Sequence, residues 1–161
     1  MPCSILFVCL GNICRSPAAE AVMRKLVADR GVNDRYLLDS AGTGNWHVGD
    51  LSDARMRRAG AARGYEFTHR ARQVKAPADF EGFDLLLAMD DSNYEDLVAL
   101  AGDEGQRAKV VRMTDYCRWH GEKEVPDPYY GGPDGFDKVL DILEDACENL
   151  LAGLEMEGKE G

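Results

Sequence analysis

Apolar positions along this chain follow two rhythms. Short runs rich in apolar residues occur at residues 4–8 (SILFV), 36–40 (YLLDS), 84–89 (DLLLAM) and 110–111 (VV). Runs of that length predict buried strands. Between and after them, apolar residues return every three or four positions, as on one face of a helix. Ala18, Ala21, Val22, Leu26 and Val27 make the first such stripe, and Gly31 ends it. Ser16 is placed to cap that helix and Pro17 to occupy its first position. Residues 51–63 predict a helix stopped at Gly64, and another starts at Asp91 or Ser92 and runs to Leu100. From Phe136 onward, Val139, Leu140, Leu143, Cys147, Leu150, Leu151 and Leu154 outline a long terminal helix.

Strands alternating with helices imply an α/β fold, an open four-stranded parallel sheet with helices on both faces. No repeat or linker divides residues 1–161, so one domain is expected, long enough for a real core. Residues 113–134 (MTDYCRWHGEKEVPDPYYGGPD) show little periodicity. A loop of that length inside a compact domain is usually functional. Ligands of open α/β sheets bind beyond the carboxyl ends of the strands, where the loop after the first strand lies.

Composition narrows the class. At 45% hydrophobic and 30% charged residues the chain is ordinary for a soluble globular protein. A formal charge of −10 sets its surface against nucleic acid and anionic membranes. Much of that excess falls in residues 144–161, read as a solvated helix face. No apolar stretch is long enough to span a bilayer, and the N-terminus lacks a basic lead and a small-residue cleavage site. A cytoplasmic protein is expected. The cysteines, Cys3, Cys9, Cys14, Cys117 and Cys147, are odd in number and fit no zinc spacing. They read as reduced thiols, with Cys3 and Cys147 as apolar fillers.

The chemistry concentrates between the first strand and the first helix, where residues 9–16 read C-x5-R-S. Unpaired amides of a helix N-terminus, added to loop amides, form a nest for a tetrahedral oxyanion. Leu10, Gly11, Asn12, Ile13, Cys14 and Ser16 make up that phosphate-binding loop. Gly11 relieves crowding, and Asn12 is a residue type that tolerates left-handed backbone. Arg15 can grip two phosphate oxygens at once, as lysine cannot. Cys9 sits at the floor, where Ser16 can add a hydroxyl hydrogen bond to the sulfur. Thiols at helix N-termini near arginine titrate at roughly 3.5–7.5 instead of near 8.5. Such a sulfur is a nucleophile aimed at phosphorus. A Walker A loop is excluded by the absence of G-x-x-x-x-G-K-[ST], and Gly42-Thr43-Gly44-Asn45 reads as a turn.

Cleaving a phosphomonoester leaves an alkoxide or phenoxide that needs a proton. Asp127, stiffened by Pro128, is the candidate acid. Tyr129 and Tyr130 offer aromatic walls for a flat group. His47 and His120 read as surface or loop residues, and Arg55, Arg57 and Arg58 as the wet side of a helix.

With these stretches in view, the chain resembles the low-molecular-weight protein tyrosine phosphatases over nearly its full length. The resemblance is carried by VCLGNICRSPAAE at residues 8–20, DSAGT at 39–43, HRARQ at 69–73, MDDSN at 89–93 and DPYYG at 127–131. It implies that Cys9 is the nucleophile, Arg15 binds phosphate and transition state, and Asp127 acts as general acid and then base. It implies that Asn12, Ser16, Ser40 and His69 hold the loop, and that Trp46, Tyr129 and Tyr130 wall a cleft for a phosphoaryl ring. Cys14 matches a second loop cysteine that can form a disulfide with Cys9 on oxidation. Ile13 is the form expected of tyrosine phosphatases, where a phosphoarginine-directed branch carries threonine.

The expected reaction is hydrolysis of phosphotyrosine and small aryl phosphates through a phosphocysteine, with neither metal nor cofactor. The expected partners are a phosphotyrosine-containing protein or peptide, and inorganic phosphate or sulfate as product-like ligands. Three alternatives stand beside it: a phosphoarginine phosphatase, a phosphopeptide-binding module, and an arsenate reductase of the same fold. The reductase relay needs cysteines near the third strand, and residues 80–92 have none.

Overall fold

The structure, a computed structural model, describes residues 2–160. Its strands are β1 (Cys3–Cys9), β2 (Tyr36–Gly42), β3 (Leu85–Ala88) and β4 (Val110–Arg112). Its helices are α1 (Arg15–Asp29), α2 (Ala54–Ala61), α3 (Ala78–Gly82), α4 (Asp91–Leu100), α5 (Glu104–Arg107) and α6 (Asp134–Glu160). The strands form one parallel sheet in the order β2-β1-β3-β4. The open, helix-covered parallel sheet expected from the sequence is the fold observed.

Strand β1 sits inside the sheet, paired with β2 on one side and β3 on the other. Its residues serve two cores by turns. Ile5, Phe7 and Cys9 join the cluster under α1 and α6, with Val22, Met23, Leu140, Leu143 and Leu151. Leu6 and Val8 join the opposite cluster, with Phe80 and Leu97 from α3 and α4. Burial on both faces is why β1 reads as an unbroken apolar run. The chain leaves β1 toward α1 and β2 on one side, and later strands lie on the other. The loop after Cys9 therefore opens at the point where strand order reverses, the ligand position of such sheets.

The first helix starts differently from its sequence reading. It begins at Arg15, with Cys14 at the N-cap and no side-chain cap hydrogen bond. Ser16 lies inside the first turn, because its hydroxyl is taken by Cys9 and Asn12. Helix α2 is shorter than residues 51–63, and Asp53 caps it by accepting from the Arg55 amide. The Gly42–Asn45 turn begins inside β2. Gly42 has to be glycine, since a Cβ there would sit 2.7 Å from the Leu10 carbonyl oxygen. Cys147 is fully buried, as an apolar filler should be, whereas Cys3 is only partly so. Among the described residues no helix is long and apolar enough to cross a membrane.

The long loop before α6 is pinned by one buried carboxylate. Asp145 on α6 accepts the amides of Trp119 at 2.9 Å, His120 at 3.0 Å and Arg118 at 3.1 Å. Burial pushes its carboxyl up, but these amides and His120 outweigh burial and hold it at about 2. The folded value lies below the unfolded value of about 3.9. Its stabilisation is therefore complete above that value and disappears as pH falls toward 2. Asp145→Asn should cost about 2 kcal/mol at pH 7. Urea melts should show the gap between wild type and variant closing between pH 4 and roughly pH 2.

Candidate active site

The loop from Cys9 to Arg15 turns its carbonyls outward. The carbonyls of Cys9 and Leu10 accept the amides of Thr43 and Gly44 at 2.9 Å, and those of Ile13 and Cys14 accept Asp53 and Ala18. The amides of Gly11, Ile13 and Cys14 donate to no protein acceptor among the described residues. With these donors left over and most of its carbonyls already used, the loop is built to receive an anion. The Cys9 sulfur, 3% exposed, lies 3.0 Å from the Ser16 hydroxyl and accepts the Asn12 amide at 3.3 Å.

Asn12 is the keystone of the turn. Its φ of 57° places it in the left-handed region, which asparagine enters more readily than most residues. Its buried carboxamide is then used at both ends. The nitrogen donates to Ser16 Oγ at 2.8 Å and Ser40 Oγ at 3.0 Å, and the oxygen accepts the Arg72 amide at 3.0 Å. His69 Nε2 meets the same oxygen at 2.8 Å, so that nitrogen carries the proton. Ser40 in turn donates to the buried Glu20 at 2.8 Å. Asn12, Ser16, Ser40 and His69, named together from the sequence, are thus in one hydrogen-bonded chain. Glu20 and Arg72 complete it and are not evident from the sequence. Glu20, Asp39 and His69 are close enough to hold a metal ion, but each carboxylate already pairs with an arginine, Glu20 with Arg24 and Asp39 with Arg72.

Arg15 is 3% exposed and held by distant segments. One terminal nitrogen donates to Asp90 Oδ2 at 2.7 Å and to the Val125 carbonyl at 3.0 Å. The other lies 3.8 Å from Asp127 Oδ2. Burial works against the guanidinium's charge, but Cys9, Asp90 and Asp127 outweigh it and raise its pKa. Asp90 has two tasks, since its other oxygen caps α4 by accepting the Asn93 amide at 2.8 Å. Asp90 lies in the MDDSN stretch that carries the resemblance, but nothing next to it in the sequence points to Arg15.

Cys9, Leu10, Gly11, Ile13, Cys14, Arg15, Trp46, His47, Asp127, Tyr129 and Tyr130 surround one cavity of about 420 Å³. Asp127 is exposed at its mouth and accepts the Tyr129 amide at 3.1 Å. Tyr129 and Tyr130 meet edge to face with centroids 4.8 Å apart. Trp46 lies over Gly44 and is largely exposed. His47 lies in the turn after β2 and is part-exposed; it also packs over Gly11 and stands 6.2 Å from the Tyr129 ring. Cys14 lines the cavity as a free thiol beside Cys9. Burial pushes its pKa up, and Asp53, Cys9 and Asp127 add to the effect, so its protonated form is favoured.

A family model described as low molecular weight phosphotyrosine protein phosphatase matches residues 4–160. The chain belongs to that family. A chain from Synechocystis sp. is 51% identical over 97% of this chain and 97% of its own length. The low molecular weight protein-tyrosine-phosphatase of Streptomyces coelicolor is 44% identical over 96% of each chain. The protein tyrosine phosphatase of Entamoeba histolytica, solved with Hepes in its active site, superposes with a TM-score of 0.93 at 50% identity, covering 98% of this chain and 99% of that one. In this low molecular weight phosphatase chain, all the quoted family stretches border the cavity or brace its loop. Residues 39–43 and 69–73 supply Ser40, Gly42, His69 and Arg72, and residues 89–93 supply Asp90.

Proposed function

We propose that this chain, working as one domain, hydrolyses phosphotyrosine and small aryl phosphates through a phosphocysteine on Cys9. One observation carries the reading: the Cys9 sulfur lies against donors of a loop whose spare amides face no protein acceptor, with Arg15 and Asp127 on the same cavity. Negative charge on the sulfur and on a docked phosphate is favoured by the same donors.

The phosphate dianion docks on the amides of Gly11, Ile13 and Cys14. Asp90 and Val125 occupy one end of the Arg15 guanidinium, which leaves its remaining N–H groups for two phosphate oxygens. Cys9 attacks in line, so a sulfur–phosphorus bond forms as the phosphorus–oxygen ester bond breaks. Asp127 gives its proton to the departing phenolic oxygen. The resulting carboxylate then takes a proton from water, which attacks phosphorus and releases inorganic phosphate and the Cys9 sulfur. Trp46, Tyr129 and Tyr130 enclose the aryl ring. The Asn12–Ser40–Glu20 chain keeps the nest fixed between the two steps. The substrate is a phosphotyrosine-bearing protein or peptide, and phosphate or sulfate binds as a product-like ligand. The Hepes bound by the Entamoeba relative carries a sulfonate, an oxyanion of similar shape.

The test is the dependence of rate on the leaving group. Asp127→Asn should slow hydrolysis of phenyl phosphate by about 100- to 1,000-fold. The loss should be much smaller for p-nitrophenyl phosphate, whose phenolate departs without full protonation. An equal loss on both substrates would exclude Asp127 as the acid.

A further inference from the structure

Beside the phosphate cavity runs a second groove of about 350 Å³, lined by Arg55, Arg58, Ala59, Pro133 and Phe136. Its floor is apolar, with the buried Phe136 ring among its lining. The two arginines play different parts. Arg55 is held by Asp53 through two hydrogen bonds of 3.1 and 2.9 Å, so its charge is matched. Its guanidinium lies 5.3 Å from the Tyr129 ring and 4.8 Å from the Phe136 ring. Tyr129 walls the phosphate cavity and Phe136 the groove, so the Tyr129–Arg55–Phe136 stack is a partition common to both. A peptide whose tyrosyl ring fills the cavity can continue over that partition into the groove.

Arg58, one helical turn beyond Arg55, is exposed and pairs with no carboxylate within 4.0 Å among the described residues. Asp134, beside Pro133, does not reach it either. Of the three arginines on the two cavities, Arg15 and Arg55 each have a carboxylate, and among the described residues Arg58 has none. It stands out on a chain of net charge −10. A carboxylate laid over the apolar floor would lose part of its hydration, which strengthens pairing with Arg58 relative to an open surface. A lysine or arginine in the same place would be repelled.

We propose that this groove is a substrate subsite, in which Arg58 receives an acidic side chain flanking the phosphotyrosine while Phe136, Pro133 and Ala59 support its aliphatic stem. The proposal deepens the phosphatase reading and rests on it. The test uses phosphotyrosyl peptides with glutamate placed in turn at each of about four positions on either side, against an all-alanine reference. Each kcat/KM is normalised to the same enzyme's value on p-nitrophenyl phosphate, which is too small to reach the groove. At one or more positions, wild type should favour glutamate. Arg58→Glu should shift that glutamate-to-alanine ratio by about tenfold, and Arg58→Lys should retain most of the preference. Both variants change an exposed side chain, so folding is not at issue. A ratio identical in wild type and Arg58→Glu at every position overturns the subsite while leaving the phosphatase intact. Wild type without turnover of p-nitrophenyl phosphate overturns the underlying reading, and the subsite with it.

Discussion

Cys9→Ser is expected to lower turnover of aryl phosphates by about 10⁴-fold or more while phosphate still binds. The substitution is nearly isosteric, at a position 3% exposed, so the fold and loop should persist. What changes is the nucleophile. A serine hydroxyl stays protonated beside Ser16 Oγ and the Asn12 amide, and among the described residues no carboxylate or imidazole hydrogen-bonds Cys9 to take its proton. The amides of Gly11, Ile13 and Cys14 and the Arg15 guanidinium remain for the anion. Titration calorimetry with inorganic phosphate should therefore give a dissociation constant within a few-fold of wild type, whereas p-nitrophenyl phosphate yields no burst. Turnover near the wild-type rate would remove Cys9 from the chemistry.

Arg15→Lys should cost about 10³-fold in kcat, with a smaller change in KM. Charge is conserved, so a role as a general electrostatic attractor would predict a minor effect. In the proposed mechanism Arg15 instead serves two sets of acceptors with one rigid plane. Asp90 and the Val125 carbonyl fix one end, and the remaining N–H groups are left for oxygens that gain charge in the transition state. A lysine ammonium is a single point on a flexible stem and cannot do both. If it turns to the substrate, Asp90 and Val125 lose their donor. If it stays with Asp90, the phosphoryl oxygens lose theirs. Steady-state kinetics on p-nitrophenyl phosphate separate the cases, and a variant with unchanged kcat would show that the planar fork is not used.

Features that depend on near neighbours are legible in the sequence. The strand runs, the periodic stripe of α6 and the C-x5-R-S spacing each depend on residues a few positions apart. Failures came where a side chain's partner lies far along the chain. Ser16 has every local mark of a helix cap, yet its hydroxyl serves Cys9 and Asn12. His47 is in a loop and Arg55 on a part-exposed helix face, as read from the sequence, but nothing near either in the chain announces that Tyr129 lies beside them. Glu20, Arg72 and Asp90 carry no local signal for their tasks in the loop.

The sequence by itself determined which atoms could do chemistry and where the strand-to-helix turn would hold them. Apolar runs and helical spacing, and the tolerance of asparagine for left-handed backbone, are short-range physics. Only the tertiary structure decided how Arg15 is aimed and what keeps the nest rigid. Those depend on hydrogen bonds closed between segments 20 to 110 residues apart, and each partner of such a bond is, within its own stretch of chain, an ordinary polar residue.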